Sequence, residues 1–502
     1  EKAAAFGAKV LESKWNDHFG EARNHSLEHA RGDWLLILDA DETLDPESVQ
    51  TLKKEIQSQG VMAYRLPLVN QGIHERENNY VPRLFRNAPG LFFVGRIHEE
   101  IFSSMEVLRR RWNLDCRLGQ SLINHFGYTE EQVNEKQKKK RNLKLLEKAV
   151  IETPDEPNLL MNYGLELART GANKKALEQY EQAFSCLQRM PDQYVTPEFR
   201  ETLIHQFAHL LIQEQAYQRL LEIAAMPVVR DHVKTASLYF YLGLAQSQQG
   251  MDDYALESLQ ACIDTKDDPA FTPVINEVQT GIPHFFMAKI HARRKNLRVA
   301  NDCFGLALER SPDNINIIID YARFLNEIDH ALEALQILHR YIKVGSSEIQ
   351  YWILGAEIAL AQKGMKEFAL DWTSEAIKFF GSEFKVLFLH IEALIVNQKW
   401  EEAFEFKTDY AGDPVTARHA AQWMMIDMVA GQKISSADPA REQEFSLAFI
   451  KMYRQLIDLN DGGAIHKING ASAQLEKILP TAYKLLSDAI QSTMKNPAPQ
   501  ST

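Results

Sequence analysis

The chain has 502 residues, of which 45% are hydrophobic and 25% charged, and its formal net charge is −12. This length exceeds the roughly 250–300 residues at which one hydrophobic core stops growing, so the sequence predicts more than one domain. The acidic balance argues against nucleic-acid binding, which needs a basic face, and no apolar run approaches the roughly 20 residues of a membrane span. Four widely separated cysteines lack disulfide or metal-site spacing, which predicts a reducing, cytoplasmic environment.

The first residues have the pattern of a helix end over residues 3–6, a glycine stop at Gly7 and a short strand. This pattern is the second half of a βα unit, and we expect that the first strand of the unit is missing from the chain. A helix then runs from about Glu21 to Arg31 and stops at Gly32. A strand over residues 34–38 follows.

A second helix starts at Asp45, which has the residue type of an N-cap and is followed by a proline in the first turn. This helix runs to about Ser58 and stops at Gly60. Alternation of apolar and polar residues predicts further strands over residues 62–68, 80–86 and 91–94. The first 128 residues are therefore predicted to be α/β.

The strand from Leu35 to Leu38 consists of four aliphatic residues, which is typical of a strand buried on both faces in a parallel sheet. In an extended chain the next acids, Asp39 and Asp41, point the same way, roughly 7 Å apart. Two charges 4 Å apart repel by about 4 kcal/mol at an effective dielectric near 20, and a hard divalent cation removes this penalty. The sequence therefore predicts a Mn²⁺ or Mg²⁺ site here; alternatively, the acids only end the strand and solvate a turn.

Five motifs occur in order within the first 150 residues: W-N-D-H-F-G-E-A-R-N, G-D-W-L-L-I-L-D-A-D-E, R-L-F-R-N, F-V-G-R-I-H-E and I-N-H-F-G-Y. On these motifs the segment resembles the family-2 glycosyltransferases of the GT-A fold, in particular the bacterial branch with tetratricopeptide repeats after the catalytic domain. The resemblance implies a metal-dependent, inverting transfer of a sugar from a nucleotide-diphosphate donor to a protein, peptide or glycan acceptor. It also implies that this chain starts after the strand and acidic turn that hold the nucleotide base.

The resemblance assigns roles to three side chains near the predicted metal site. By comparison with the D-x-D motif, Asp41 binds the divalent cation on the donor diphosphate, and Asp39 lies nearer the ribose and the metal. In several GT-A enzymes a late histidine completes the metal site or touches the diphosphate, and His125 is the candidate for this role. The alternative for His125 is a structural one, at a strand end and packed under Tyr128.

An inverting transfer needs a base within hydrogen-bond reach of the acceptor nucleophile. We expect Glu99 to be this base, with His98 as runner-up and a solvated acidic turn as the alternative. Guanidinium groups match phosphate oxygens bidentately, and an arginine or asparagine near the motifs could line the donor pocket or form only surface contacts. The candidates for donor binding are Arg23, Asn24, Arg83 and Arg86.

The rest of the chain is helical and repetitive. The small residues Ala288, Ala322 and Gly355 are 34 and 33 positions apart, close to the tetratricopeptide period of 34. Gly164 and Gly243 are each followed by a small residue after twelve positions and a large one after sixteen. Small residues recur where two helices approach closely, and large ones fill the gap between helix pairs, so these spacings predict stacked helical hairpins.

The resemblance implies a partial α/β GT-A-like catalytic domain, and the helical spacings predict an all-α tetratricopeptide-repeat solenoid after it. The predicted divisions are a glycosyltransferase domain over residues 1–130, a linker helix over 131–153, the solenoid over 154–412 and a helical capping region over 413–502. The inner groove of such a solenoid is formed by the first helix of each pair and suits an extended polypeptide. Its polar or aromatic candidates are Asn158, Asn162, Glu166, Tyr239, Gln246, His284 and His291. The rival interpretation is a protein-interaction scaffold that carries a non-catalytic glycosyltransferase remnant.

Overall fold

The computed structural model describes residues 2–70, 79–97, 99–126, 132–192, 195–266, 276–342, 348–409, 416–434 and 441–495. The chain divides into two compact units, residues 1–290 and residues 291–502. The described part of the first unit contains all the strands together with helices, and the described part of the second unit is helical. The domain boundaries drawn from the sequence at residues 130, 153 and 412 stay predictions.

The strands of the first unit form one sheet of order β1-β4-β3-β6-β2, with β5 pairing β3 off this path. They are β1 (Trp34–Leu36), β2 (Glu42–Leu44), β3 (Val61–Asn70), β4 (Asn79–Arg86), β5 (Asp115–Leu118) and β6 (Ile123–His125). The β1–β4, β3–β4 and β2–β6 pairs are antiparallel, whereas β3 runs parallel to β5 and β6. The sheet is therefore mixed.

Helices accompany the sheet: α1 (Lys2–Ala5), α2 (Phe19–His29), α3 (Val49–Glu55), α4 (Phe102–Trp112) and α5 (Gln132–Glu152). The predicted cap at Asp45 is confirmed, because its side chain accepts the Glu47 N–H before a 3₁₀ turn that leads into α3. Gly60 has a φ of +73°, a conformation that suits glycine at the predicted stop. Methionine, leucine and phenylalanine side chains from β3, β4 and α4 form the core around the sheet, among them Met62, Leu66, Phe85 and Met105.

Three strand predictions in this region are wrong in whole or in part. The strand predicted over residues 34–38 ends at Leu36 and pairs only with β4, as an antiparallel edge strand. Leu35 is only 9% exposed, but Leu38, beyond the end of the strand, is 38% exposed, so the four aliphatic residues do not form one buried strand. Residues 91–94 form only one bridge, between Val94 and Glu100, because the N–H and C=O of Phe93 bond to the Asn24 side chain instead. No strand forms within residues 8–16 either.

After α5, the described part of the first unit consists of successive helices. They are α6 (Pro157–Arg169), α7 (Asn173–Arg189), α8 (Pro197–Gln213), α9 (Tyr217–Ala225), α10 (Pro227–Arg230), α11 (Ala236–Gln248), α12 (Asp252–Asp264) and α13 (Ile282–Arg293), which reaches the unit boundary. A Cβ added to Gly164 would lie 3.2 Å from the Tyr180 ring, and one added to Gly243 would lie 2.7 Å from Leu259. The predicted contact of small and large residues sixteen positions apart is confirmed in both hairpins.

The second unit consists of further helices. They are α14 (Leu297–Arg310), α15 (Ile315–Glu327), α16 (Ala331–Tyr341), α17 (Ile349–Ala361), α18 (Lys366–Phe380), α19 (Phe384–Val396), α20 (Trp400–Asp409), α21 (Ala417–Val429), α22 (Glu442–Asp458), α23 (Gly462–Ala471), α24 (Ala473–Ile478) and α25 (Pro480–Lys495). Gly355 of α17 lies against the indole of Trp372 on α18, and that indole N–H donates to the Trp352 carbonyl at 3.0 Å. The predicted fold class, an α/β region before all-α repeats, is confirmed. Among the described helices, none is both long enough and apolar enough to span a membrane.

Candidate functional site

The two aspartates of the D-x-D motif lie in a turn between β1 and β2. The Glu42 N–H donates to the Asp39 carbonyl at 3.0 Å, and the Glu42 side chain accepts the Asp39 N–H at 2.9 Å. This reciprocal pair of hydrogen bonds closes the turn, since a local side chain competes with the strand for the backbone donor. The prediction that Asp39 and Asp41 share one face of an extended strand is therefore wrong.

Asp39 is held between two arginines from different elements. Its Oδ1 accepts from Arg23 Nη2 of α2 at 2.6 Å, and its Oδ2 accepts from Arg83 Nη2 of β4 at 2.7 Å. Arg23 Nε also donates to Glu99 Oε1 at 2.5 Å, and Arg83 donates to Glu42. Two guanidinium groups thus link three carboxylates into one network.

The network determines the ionisation of its central members. Burial raises the pKa of Asp39, but the charges of Arg83 and Arg23 outweigh it, so that this pKa lies below its ordinary value. Burial alone would lower the pKa of Arg23, yet the hydrogen bond to Glu99 and the charge of Asp39 raise it above its ordinary value. Asp39 is therefore ionised at neutral pH, and Arg23 is firmly cationic.

Asp41 lies apart from this network, beside His125. The β2–β6 ladder places Glu42 opposite His125, and the Phe126 N–H donates to the Asp41 carbonyl at 2.9 Å. Asp41 Oδ2 is 3.3 Å from His125 Nε2, and the two side chains are 50% and 22% exposed. The pairing of two short strands thus brings together residues that are far apart in the sequence.

The predicted metal ligands can be tested against this arrangement. A carboxylate oxygen and an imidazole nitrogen 3.3 Å apart can both reach one cation at bond lengths of about 2.0–2.2 Å. Asp41 and His125 therefore fit a metal site. Asp39 does not fit in this arrangement, because each of its oxygens already accepts from a guanidinium group.

One cavity of about 710 Å³ collects most of the predicted site residues. Arg23, Asp39, Asp41, Arg83, Glu99 and His125 all line it. They come from α2, the 39–42 turn, β4, β6 and the segment before α4, so the sheet and its flanking helices converge on this point. The chemical roles assigned to these residues remain predictions.

Two other candidates contact the protein's own backbone. Asn24 donates to the Phe93 carbonyl at 2.9 Å and accepts the Phe93 N–H at 2.7 Å. Arg86 donates to the Val61 carbonyl at 2.7 Å, and its guanidinium lies 4.7 Å from the centre of the Trp34 ring. Neither residue lines the cavity. His98 lies outside the described residues.

Glu42 is a member of the network that the sequence did not single out. Its side chain is only 3% exposed and is bonded to Arg83. In the sequence Glu42 is the last of three acids. The alternation of residues along a strand does not predict its contact with Arg83, which is 41 residues away. The usable signal was a third acid directly after the D-x-D pair.

Comparisons with known proteins relate part of the chain to a known family. Residues 1–117 match the model of the family described as Glycosyl transferase family 2. A TPR repeat-containing protein of Synechococcus elongatus is 29% identical over 177 residues, which are 35% of this chain and 44% of that protein. The SPbeta prophage-derived glycosyltransferase SunS of Bacillus subtilis is 25% identical over 188 residues, which are 37% of this chain and 43% of that protein. The chain spans less than half the length of these curated relatives.

Similar solved structures are repeat proteins. A tetratricopeptide repeat protein from Parabacteroides merdae has 16% identity and a TM-score of 0.35, covering 52% of this chain and 94% of its own. The C-terminal part of a TPR repeat-containing protein from Cytophaga hutchinsonii has 10% identity and a TM-score of 0.39, covering 56% of this chain and 98% of its own. The family match and the helical hairpins confirm the predicted combination of a family-2 glycosyltransferase domain and tetratricopeptide repeats.

Proposed function

We propose that this chain transfers a sugar from a nucleotide-diphosphate donor to an acceptor, with inversion at the sugar and with help from a divalent cation. At the level of the family the chain is a glycosyltransferase. The observation that carries the finer proposal is the single cavity lined by Arg23, Asp39, Asp41, Arg83, Glu99 and His125. Acids, arginines and a histidine around one opening are the groups that a charged, phosphorylated donor requires.

The charge balance of the cavity supports the cation. The cavity is lined by four acids and three arginines: Asp39, Asp41, Glu99 and Glu100, with Arg23, Arg83 and Arg141. A diphosphate brings further negative charge, which adds to this excess of acids. Asp41 and His125 would hold the cation; Mn²⁺ or Mg²⁺ bound there supplies positive charge to the departing phosphate.

The chain's own residues have distinct tasks in this proposal. Arg23 and Arg83 present planar donors that match phosphate oxygens, while Asp39 orients both arginines. Glu99 accepts the proton of the acceptor nucleophile, since its carboxylate lies in the cavity wall and is joined to Asp39 through Arg23. His98 is the second candidate for this base.

The acceptor in this proposal is a protein or peptide bound along the repeats. Asn162 of α6 and Tyr239 of α11 are partly exposed on first helices of their pairs and can contact an extended backbone. Two of the predicted groove residues are wrong, because Glu166 and His284 are only 2% and 7% exposed.

The four cysteines, all of which lie in described parts of the chain, are free thiols, which supports the proposed cytoplasmic location.

The test uses the full-length protein with uridine, guanosine and thymidine diphosphate sugars. Release of nucleoside diphosphate in Mn²⁺, Mg²⁺ or a chelator measures donor turnover without a known acceptor, and proton NMR of the product reports the anomeric configuration. We expect slow, cation-dependent hydrolysis of one donor class. Full turnover in chelator would contradict the metal, and a product with retained configuration would contradict inversion.

A second candidate function is a tetratricopeptide-repeat scaffold whose glycosyltransferase domain is non-catalytic. The helical repeats favour it, since they make up most of the described chain. An intact protein that turns over no sugar nucleotide, with or without extract from its host cells, would favour this candidate over the enzyme.

The role of the repeats can be tested once a labelled acceptor is found in such an extract. The double variant Asn162→Ala, Tyr239→Ala should raise the acceptor KM by about tenfold, which corresponds to roughly 1.4 kcal/mol of lost binding. Donor hydrolysis should stay unchanged. Glu178→Ala, an exposed position on the second helix α7, is the matched control. An unchanged KM in the double variant would exclude this surface as the acceptor site.

A further inference from the structure

Glu42 makes more contacts with the site than its position in the sequence suggests. It is the first residue of β2 and pairs with His125 across the ladder. Its carboxylate accepts the Asp39 N–H at 2.9 Å and also accepts from Arg83. Arg83 in turn donates to the Asp39 side chain at 2.7 Å. Glu42 therefore contacts the backbone of Asp39. It also contacts Arg83, which is the counter-ion of the Asp39 side chain, and it pairs with the strand that carries His125.

The charge of Glu42 is buried, and burying a carboxylate is costly unless it is paired and hydrogen-bonded. A glutamine would still accept the Asp39 N–H, so closure of the turn needs no charge. Only the contact with Arg83 uses the negative charge, because a carboxylate bonds a guanidinium more strongly than an amide does. The charge therefore acts on Arg83, and through Arg83 on the orientation of Asp39.

We propose that Glu42 is a positioning residue of the donor site, which holds Arg83 against Asp39 and keeps the turn that presents Asp41 to His125. This inference rests on the proposed function, because it concerns how that site binds a nucleoside diphosphate. Glu42 does not touch the donor; it acts through Arg83 and Asp39.

A matched pair of variants separates positioning from general stability. Glu42 and Glu55 are both 8% exposed, and Glu55 accepts the Gln120 N–H at 2.6 Å and the Ser121 hydroxyl at 2.5 Å, away from the cavity. Glu42→Gln and Glu55→Gln should both lower Tm. Calorimetric titration of each full-length variant with uridine, guanosine or thymidine diphosphate in Mn²⁺ should show at least a tenfold weaker Kd only for Glu42→Gln.

The outcomes distinguish the inference from the function beneath it. Wild-type binding with an unchanged Kd in Glu42→Gln overturns the inference and leaves the proposed function standing. Equal losses of affinity in both variants also overturn it, because the effect is then one of stability. A wild-type chain that binds none of the three nucleotides in Mn²⁺ contradicts the proposed function, and the inference falls with it.

A separate cluster lies at the C-terminal turn of α2. His25, Glu28 and His29 are spaced i, i+3 and i+4, so they share one helix face. One potential ligand atom from each lies within 4.8 Å of the others, and the two imidazole rings have centroids 5.0 Å apart. The histidines are partly buried and the glutamate is exposed.

The hydrogen bonding of His29 favours ligation. Its Nδ1 lies 2.9 Å from the His25 carbonyl, which can only accept, so Nδ1 carries the proton. The lone pair is then on Nε2, the tautomer that binds metals, and the carbonyl orients the ring. We infer that His25, Glu28 and His29 bind a transition-metal ion such as Zn²⁺, since two imidazoles and a carboxylate suit Zn²⁺ better than Mg²⁺.

This second site is tested with zinc chloride on the full-length Asp41→Asn variant, in which the other candidate site has lost its carboxylate ligand. Calorimetry should detect one zinc site, and zinc should raise Tm because it binds the folded state. Adding His25→Gln or His29→Gln should remove both effects. His330→Gln is the control, since His330 contacts Glu333 at 2.8 Å but is followed four positions later by Ala334 and not by a second histidine. The assignment is overturned if zinc still binds after either histidine has been replaced. It is also overturned if the Asp41→Asn variant binds no zinc.

Discussion

Charged side chains serve different purposes in the sheet region and in the helical repeats. Around the sheet, Arg23 bonds Asp39 and Glu99, which lie 16 and 76 residues away along the chain. In the repeats, several ion pairs join residues three positions apart on one helix. Examples are Arg323–Asp320 and Lys378–Glu375. Exposed pairs of that kind contribute about 0.3–0.5 kcal/mol each.

The difference indicates where chemistry and stability reside. Distant charges that converge on a cavity have their geometry imposed by the fold, which suits a binding site. In the repeats, buried apolar contacts such as Gly355 against Trp372 join neighbouring helices. Variants at the cavity should therefore cost activity with little loss of stability, and variants at the repeat contacts should do the reverse.

The largest effect is expected for Asp41→Asn. The cation it would hold contributes several kcal/mol to catalysis, which corresponds to roughly a 10³-fold loss of metal-dependent turnover. Tm should hardly change, because the Asp41 side chain is 50% exposed. Donor hydrolysis in Mn²⁺ is the measurement, with Asp115→Asn, an exposed acid paired with Arg117, as control. Wild-type turnover in Asp41→Asn would contradict the claim that variants at the cavity cost activity.

Glu99→Gln should lower the rate of transfer to the acceptor by about 10²-fold, the scale of a lost general base. Single-turnover transfer with a saturating donor measures the effect. Glu106→Gln, whose carboxylate is bonded to Arg109 within α4, is the control. An unaffected rate would move the base to His98 or to another group.

His390 should make the second unit sensitive to acid. Burial lowers the pKa of this imidazole on α19 to about 4, whereas the unfolded chain has a value near 6.5. Between these two values the unfolded chain binds a proton at His390, whereas the folded chain does not. Stability is complete above about pH 6.5 and falls by about 3 kcal/mol as the pH drops toward 4.

The measurement is Tm of the wild type and of His390→Gln at pH 7.5 and pH 4.5. The variant should lose less stability on acidification. At pH 7.5, where the histidine is neutral in both states, the comparison gives the cost of the substitution itself. An equal fall in Tm for both proteins would show that other groups cause the acid sensitivity.

The smallest effect is expected at a glycine of the repeats. In Gly355→Ala the new methyl group collides with the Trp372 ring, and such overpacking costs about 1–3 kcal/mol. Gly305→Ala is the matched helical control, because among the described residues no atom lies within 4 Å of its added Cβ; there the variant should gain about 1 kcal/mol of helix propensity. Tm measures both, and donor hydrolysis should be normal in both. Equal stability of the two variants would refute the packing argument.

Local signals in the sequence predicted much of the fold. The Asp45 cap, the strands β3 and β4 and the positions of Gly164 and Gly243 all follow from neighbouring residue types or from helical spacing. The predictions that failed depended on partners from elsewhere. The segment 91–94 contains suitable residues for a strand, but Asn24, some 69 residues away, bonds the Phe93 backbone.

By itself, the sequence determined which residue types are available at the site and that small residues recur near every 34 positions. Alternation along β4 implies that Arg83 and Arg86, three positions apart, point to opposite faces. It does not say which of them meets Asp39. The tertiary structure decided this, because β1 and β3 flank β4 and direct Arg83 to the acids and Arg86 to Trp34. The energy of a charge depends on the partners that surround it, and these are chosen only when the sheet assembles.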